Sequence, residues 1–163
     1  MHILLIALIL CYGLGLVLPF CVPRKPQAQG MVGSVCACAA SLIGITLGLS
    51  GLVASAPVTA IVTSPIPLLA FAVRLDPLAS FFVVTISLAG LAASIYAMGY
   101  LKEFHGRVSE AALTALTNTF LLSMTLVVIA DNGFFFLIAW ELMSLASYFL
   151  VVTEHEKADV RYA

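Results

Sequence analysis

One carboxyl in this chain stands where packing alone does not require it. Glu141 interrupts the apolar run Phe134 to Val152, about two residues from its midpoint, in the sequence Ala139-Trp140-Glu141-Leu142-Met143-Ser144. If that run crosses a bilayer as a helix, the carboxyl lies roughly 3 Å from mid-depth along the axis. A charged side chain there costs about 2.5–3.5 kcal/mol on insertion scales, and ionisable groups at such depth mark proton or ion pathways. Ser144 and Tyr148 follow three and seven residues on, which places them on the same helical face as Glu141. The stripe suits proton transfer: Glu141 carries the proton and the two hydroxyls support it. The plainer alternative is a carboxyl that stays protonated and hydrogen-bonded between helices.

A second polar face lies one apolar run earlier. Thr114, Asn118 and Thr125 recur at helical spacing. They serve either as hydrogen-bonding glue between helices, the favoured reading, or as the lining of a hydrated path in which Asn118 supports Glu141. Other chemistry has little to stand on. Cys36 and Cys38 are two positions apart and point to different faces, so they make no metal clamp. Cys11 and Cys21 add no disulfide framework. His2, His105 and His155 fall at or outside the ends of apolar runs, and none pairs with another at helical spacing. The expectation is a chain with no metal and no cofactor.

The elements that must position Glu141 follow from composition. The chain has 163 residues, 63% hydrophobic and 9% charged, with a mean hydropathy of +1.15. A soluble domain carries about 25% charged residues, and this chain has too few to solvate a globular exterior. Soluble, disordered and fibrous classes are excluded, and an integral membrane protein remains. The net charge of -1 gives no reason to expect nucleic acid as a partner.

A helix crossing about 30 Å of hydrocarbon needs around 20 mainly apolar residues. Five runs qualify: about residues 2–20, 31–54, 77–98, 111–130 and 134–152. The expected fold is all-α, a single integral membrane bundle of five transmembrane helices. The first run lacks a basic leading segment and a small-residue cleavage site, so it reads as a retained helix. Asp131-Asn132-Gly133 is turn chemistry, which makes the last two helices an antiparallel hairpin. Between helices 2 and 3, Pro65 and Pro67 break the apolar stretch Val58 to Val73. That segment is expected as a loop, with Leu68 to Leu75 extended or β-like over the membrane surface.

Small residues at Gly33, Ala37, Ala40, Gly44, Gly48 and Gly51 share one face of the second helix, the pattern of close packing in membranes. Orientation follows from Lys and Arg in alternate loops. Arg24, Lys25, Lys102, Arg107, Lys157 and Arg161 fall on one side, and only Arg74 on the other. The N-terminus is therefore expected outside and the C-terminus in the cytoplasm of a bacterial or archaeal cell membrane.

Trp140-Glu141-Leu-Met-Ser-Leu-Ala-Ser-Tyr148-Phe-Leu-Val resembles the fifth-helix signature of the antiporter-like membrane subunits of respiratory complex I and its relatives. Arg74-Leu-Asp76-Pro-Leu-Ala-Ser-Phe-Phe opens the third helix, and Tyr96-Ala-Met-Gly-Tyr100-Leu-Lys-Glu-Phe closes it, in the manner of that family. Asp131-Asn132 and the glycine-containing loop after Lys102 look most like the branch of hydrogenase-4 component B and formate hydrogenlyase subunit 3. The resemblance covers roughly Arg74 to Ala163, and the first two helices match in type and position. It implies a longer subunit built on inverted repeats. Protons would pass along a midplane chain beginning at a fifth-helix glutamate, which maps onto Glu141, and continuing to a seventh-helix lysine. This chain would then be the N-terminal part of such a subunit, without helix 6 onward. The implied partners are other membrane subunits, a redox-active hydrophilic arm and the lipid bilayer. The implied function is proton translocation coupled to electron transfer in a hydrogenase or NADH dehydrogenase type complex. A multisubunit cation/proton antiporter subunit shares the same helix, and an inactive structural or assembly piece is the third reading.

Overall fold

The computed structural model describes residues 1–22, 26–62, 71–100 and 109–152. Five helices form where the apolar runs fall: α1 (His2–Cys21), α2 (Pro26–Val53), α3 (Pro77–Tyr100), α4 (Glu110–Ile129) and α5 (Gly133–Val152). All five are long and apolar enough to cross a membrane. Between α2 and α3 lies a two-stranded antiparallel sheet, β1 (Val58–Val62) and β2 (Phe71–Leu75).

The helix starts are written in the sequence. Asp76 caps α3, its Oδ1 accepting the Ala79 N–H at 2.8 Å, and Pro77 occupies the first helical position, where no N–H is needed. Ser109 caps α4 through a 3.3 Å bond from the Ala112 N–H. Asn132 caps α5, its Oδ1 accepting the Phe135 N–H at 2.7 Å. α2 begins five residues before its apolar run, at Pro26, and its 28 residues span about 42 Å, longer than the hydrocarbon core.

β1 corrects part of the expectation for the α2–α3 connection: Val58–Val62 is strand rather than loop. The ladder runs from Val58 opposite Leu75 to Val62 opposite Phe71, and the β-branched residues of β1 suit it. The extended segment expected from Leu68 is realised from Phe71 to Leu75. Pro65, Pro67 and Leu68 lie outside the described residues, as do Arg24, Lys25, Lys102, His105, Arg107, His155, Lys157 and Arg161. Ala130 forms a bridge with Val73, and the Asp131 N–H donates to the Ala72 carbonyl at 2.8 Å. The α4–α5 turn is thereby tied to β2.

α2 is the centre of the bundle, packed against α1, α3 and α4, whereas α5 lies against α4. The small-residue face of α2 is buried along its whole length, from Gly33 to Gly51. A methyl group added at Gly33 would overlap Thr114, at Gly44 Ser87, and at Gly51 Ser80. On α1, one added at Gly15 would overlap Asn118. Of the buried side-chain oxygens without a conventional hydrogen bond among the described residues, Asn118 Oδ1, Ser87 Oγ and Ser80 Oγ are each set against one of these glycines. Glycine at these positions lets the helices approach closely. Leu8, Tyr12, Leu47, Val83 and Ile129 fill the rest of the core.

Candidate functional site

α5 is two-sided. Phe135, Ala139 and Ala146 are buried on one face of the helix, which packs on α4, and the Phe135 ring meets Phe71 of β2 edge-on, centroids 5.3 Å apart. Glu141, Ser144 and Tyr148 are exposed on the opposite face. The three share one exposed face, which points away from the rest of the bundle. Ser144 Oγ donates to the Trp140 carbonyl at 3.0 Å, and Ser147 Oγ to the Ser144 carbonyl at 2.9 Å. These bonds satisfy both hydroxyls within α5. The Tyr148 ring meets Phe149 edge-on, centroids 5.5 Å apart.

Asn118 is not brought to this stripe. It is 1% exposed in the junction of α1, α2 and α4, and its Nδ2 donates to the Gly33 carbonyl at 3.0 Å and the Thr114 carbonyl at 2.8 Å. α4 turns its Thr114–Asn118–Thr125 face toward the bundle centre, whereas Glu141 is exposed on the far side of α5, so the two residues are not brought together. Asn118 is glue between α4 and α2. Thr114 and Thr125 differ: their hydroxyls donate to the Glu110 and Leu121 carbonyls of their own helix, both at 2.9 Å. They pack against neighbours without bonding to them.

Two features escaped the sequence reading. Glu110, in the first turn of α4, is 3% exposed. An acidic residue after a Ser cap reads as routine helix-start chemistry, and only its register with Thr114 and Asn118 signals the buried face. Tyr12 and Ser41 join α1 to α2 through a 3.4 Å hydroxyl pair, and nothing in sequence links them.

Fold and composition together define a multi-pass helical membrane protein. The chain is a homologue of membrane subunits from hydrogenase, NADH-quinone oxidoreductase and antiporter systems. It is 33% identical over 119 residues to hydrogenase-4 component B of Escherichia coli (strain K12), covering 73% of this chain and 18% of that protein. It is 37% identical over 89 residues to antiporter subunit mnhA2 of Staphylococcus saprophyticus, covering 55% of this chain and 11% of that one. It is 38% identical over 81 residues to NADH-quinone oxidoreductase subunit L of Mycobacterium tuberculosis, covering 50% and 12%. The chain thus spans less than a fifth of the length of these relatives. No family model matches it.

Proposed function

We propose that this chain is the N-terminal part of a proton-translocating membrane subunit in a hydrogenase or NADH dehydrogenase type complex, with Glu141 as its proton carrier. The observation that carries the reading is one carboxyl at mid-helix on α5, on the face opposite the one seated on α4. Similarity to hydrogenase-4 component B and to NADH-quinone oxidoreductase subunit L supports the electron-transfer branch. Further helices of the subunit and neighbouring membrane subunits cover the stripe, and a redox arm drives them. A cation brought near Glu141 favours the carboxylate and releases the proton; its withdrawal favours reloading. Ser144 and Tyr148 supply hydroxyls on the same face.

The test is proton uptake by vesicles containing the assembled parent complex, driven by its redox substrates. Glu141→Gln keeps size and hydrogen bonding but cannot ionise, so the complex assembles and loses proton coupling. Wild-type coupling in that variant sinks the assignment and leaves Glu141 a structural hydrogen-bonder.

A second reading, a cation/proton antiporter subunit, is favoured by the similarity to antiporter subunit mnhA2. Cation-driven proton flux without any redox substrate selects it. For the N-out arrangement in a bacterial or archaeal membrane, a reporter fused at Ser64 scores external and one at Gly106 cytoplasmic. The reverse pair of signals inverts the topology.

A further inference from the structure

The hairpin end of the molecule carries a second polar arrangement, separate from Glu141. α3 and α5 both lie against α4, and between their first turns a cleft of about 620 Å³ opens sideways. That volume falls within the range of about 300–1,000 Å³ common to small-ligand sites. Phe82 of α3, Val127 of α4 and Phe136 of α5 give it apolar walls. Its rim is charged: Arg74 near the end of β2, Asp76 at the α3 cap and Asp131 in the α4–α5 turn. Arg74 and Asp131 are exposed, and among the described residues no ion pair joins the three. One Asp76 oxygen is already engaged by the Ala79 N–H.

A guanidinium set near two carboxylates and paired with neither, above an apolar slot, is complementary to one kind of molecule. That molecule carries a phosphate, a primary ammonium and a hydrocarbon chain. We propose that the cleft binds a phospholipid with an ethanolamine headgroup. Arg74 receives the phosphate, which its planar fork of donors suits. Asp131 and the free oxygen of Asp76 receive the ammonium. An acyl chain runs down between Phe82 and Phe136 along Val127. The depth agrees, because α3 and α5 begin here and headgroups lie at the level of span ends. Choline lacks the N–H donors for the carboxylates, and a glycerol headgroup lacks the cation.

The experiment is native mass spectrometry of the full chain in detergent, with phosphatidylethanolamine, phosphatidylcholine or phosphatidylglycerol added at equal concentration. One phosphatidylethanolamine is retained, about tenfold better than either other lipid. Arg74→Ala loses retention of all three. Asp131→Asn keeps lipid but erases the preference for ethanolamine over glycerol. Asp76 is left intact because it caps α3. Circular dichroism confirms that each variant is folded, and Glu141→Gln retains the lipid as wild type does, which separates this site from the α5 stripe. Equal retention of the three lipids, an unchanged Arg74→Ala, or no retained lipid at all overturns the proposal.

Discussion

α2 and α5 are both apolar helices with polar atoms in mid-membrane, yet they use those atoms in opposite ways. On α2 the face from Gly33 to Gly51 is buried, and the hydroxyls of Thr114, Ser87 and Ser80 lie against its glycines. On α5 the Glu141–Ser144–Tyr148 face is exposed while Phe135, Ala139 and Ala146 do the seating. A polar group closed in by backbone fixes an arrangement of helices. A polar group on an open face is available to whatever arrives there. The difference separates a face used for construction from one left open within one small bundle.

The sharpest way to break that contrast is functional. Glu141→Gln in the assembled complex abolishes redox-driven proton uptake while the complex still purifies intact, whereas Glu141→Asp retains part of the uptake because it still ionises. An assembly defect in Glu141→Gln would move α5 into the structural column. The next effect is on stability. Gly44→Val drives a side chain into Ser87 and Leu8, and overpacking of this kind costs about 1–3 kcal/mol. A lowered thermal unfolding midpoint in detergent checks it. Asn118→Leu removes the bond to the Gly33 carbonyl and places bulk against Gly15, with a loss of about 1–3 kcal/mol by the same measurement. Smallest are Ser144→Ala and Tyr148→Phe, which stay within about 0.5 kcal/mol in stability and lower the pumping rate less than Glu141→Gln does. A large thermal shift from either would show that the outer face of α5 is packed after all.

Much of this was legible in the sequence, for identifiable reasons. Span length is a local property of composition, so five apolar runs gave five helices, while the caps at Asp76, Ser109 and Asn132 became plain only with the structure. Glu141 stood out as a candidate because a carboxyl within an apolar run is expensive to bury in hydrocarbon. β1 was not, because Val58–Val62 becomes a strand only by pairing with Phe71–Leu75, a contact that local pattern does not contain. Asn118 was placed on the right face of α4, but which helix that face meets is decided by packing. The cleft beneath Arg74 needed the ends of three elements to meet, and no spacing in one dimension announces that.

The tie between the Asp131 N–H and the Ala72 carbonyl has a mechanical consequence. It pins the α4–α5 corner to the hairpin and makes that corner a fulcrum for the last helix. Glu141 is eight residues along α5, about 12 Å from the corner, while the far end at Val152 is about 29 Å away. A rigid tilt about this fulcrum therefore displaces the carboxyl by less than half as much as the far end. In such a tilt α5 would act as a lever, its long arm swinging while its acidic residue stayed near the bearing.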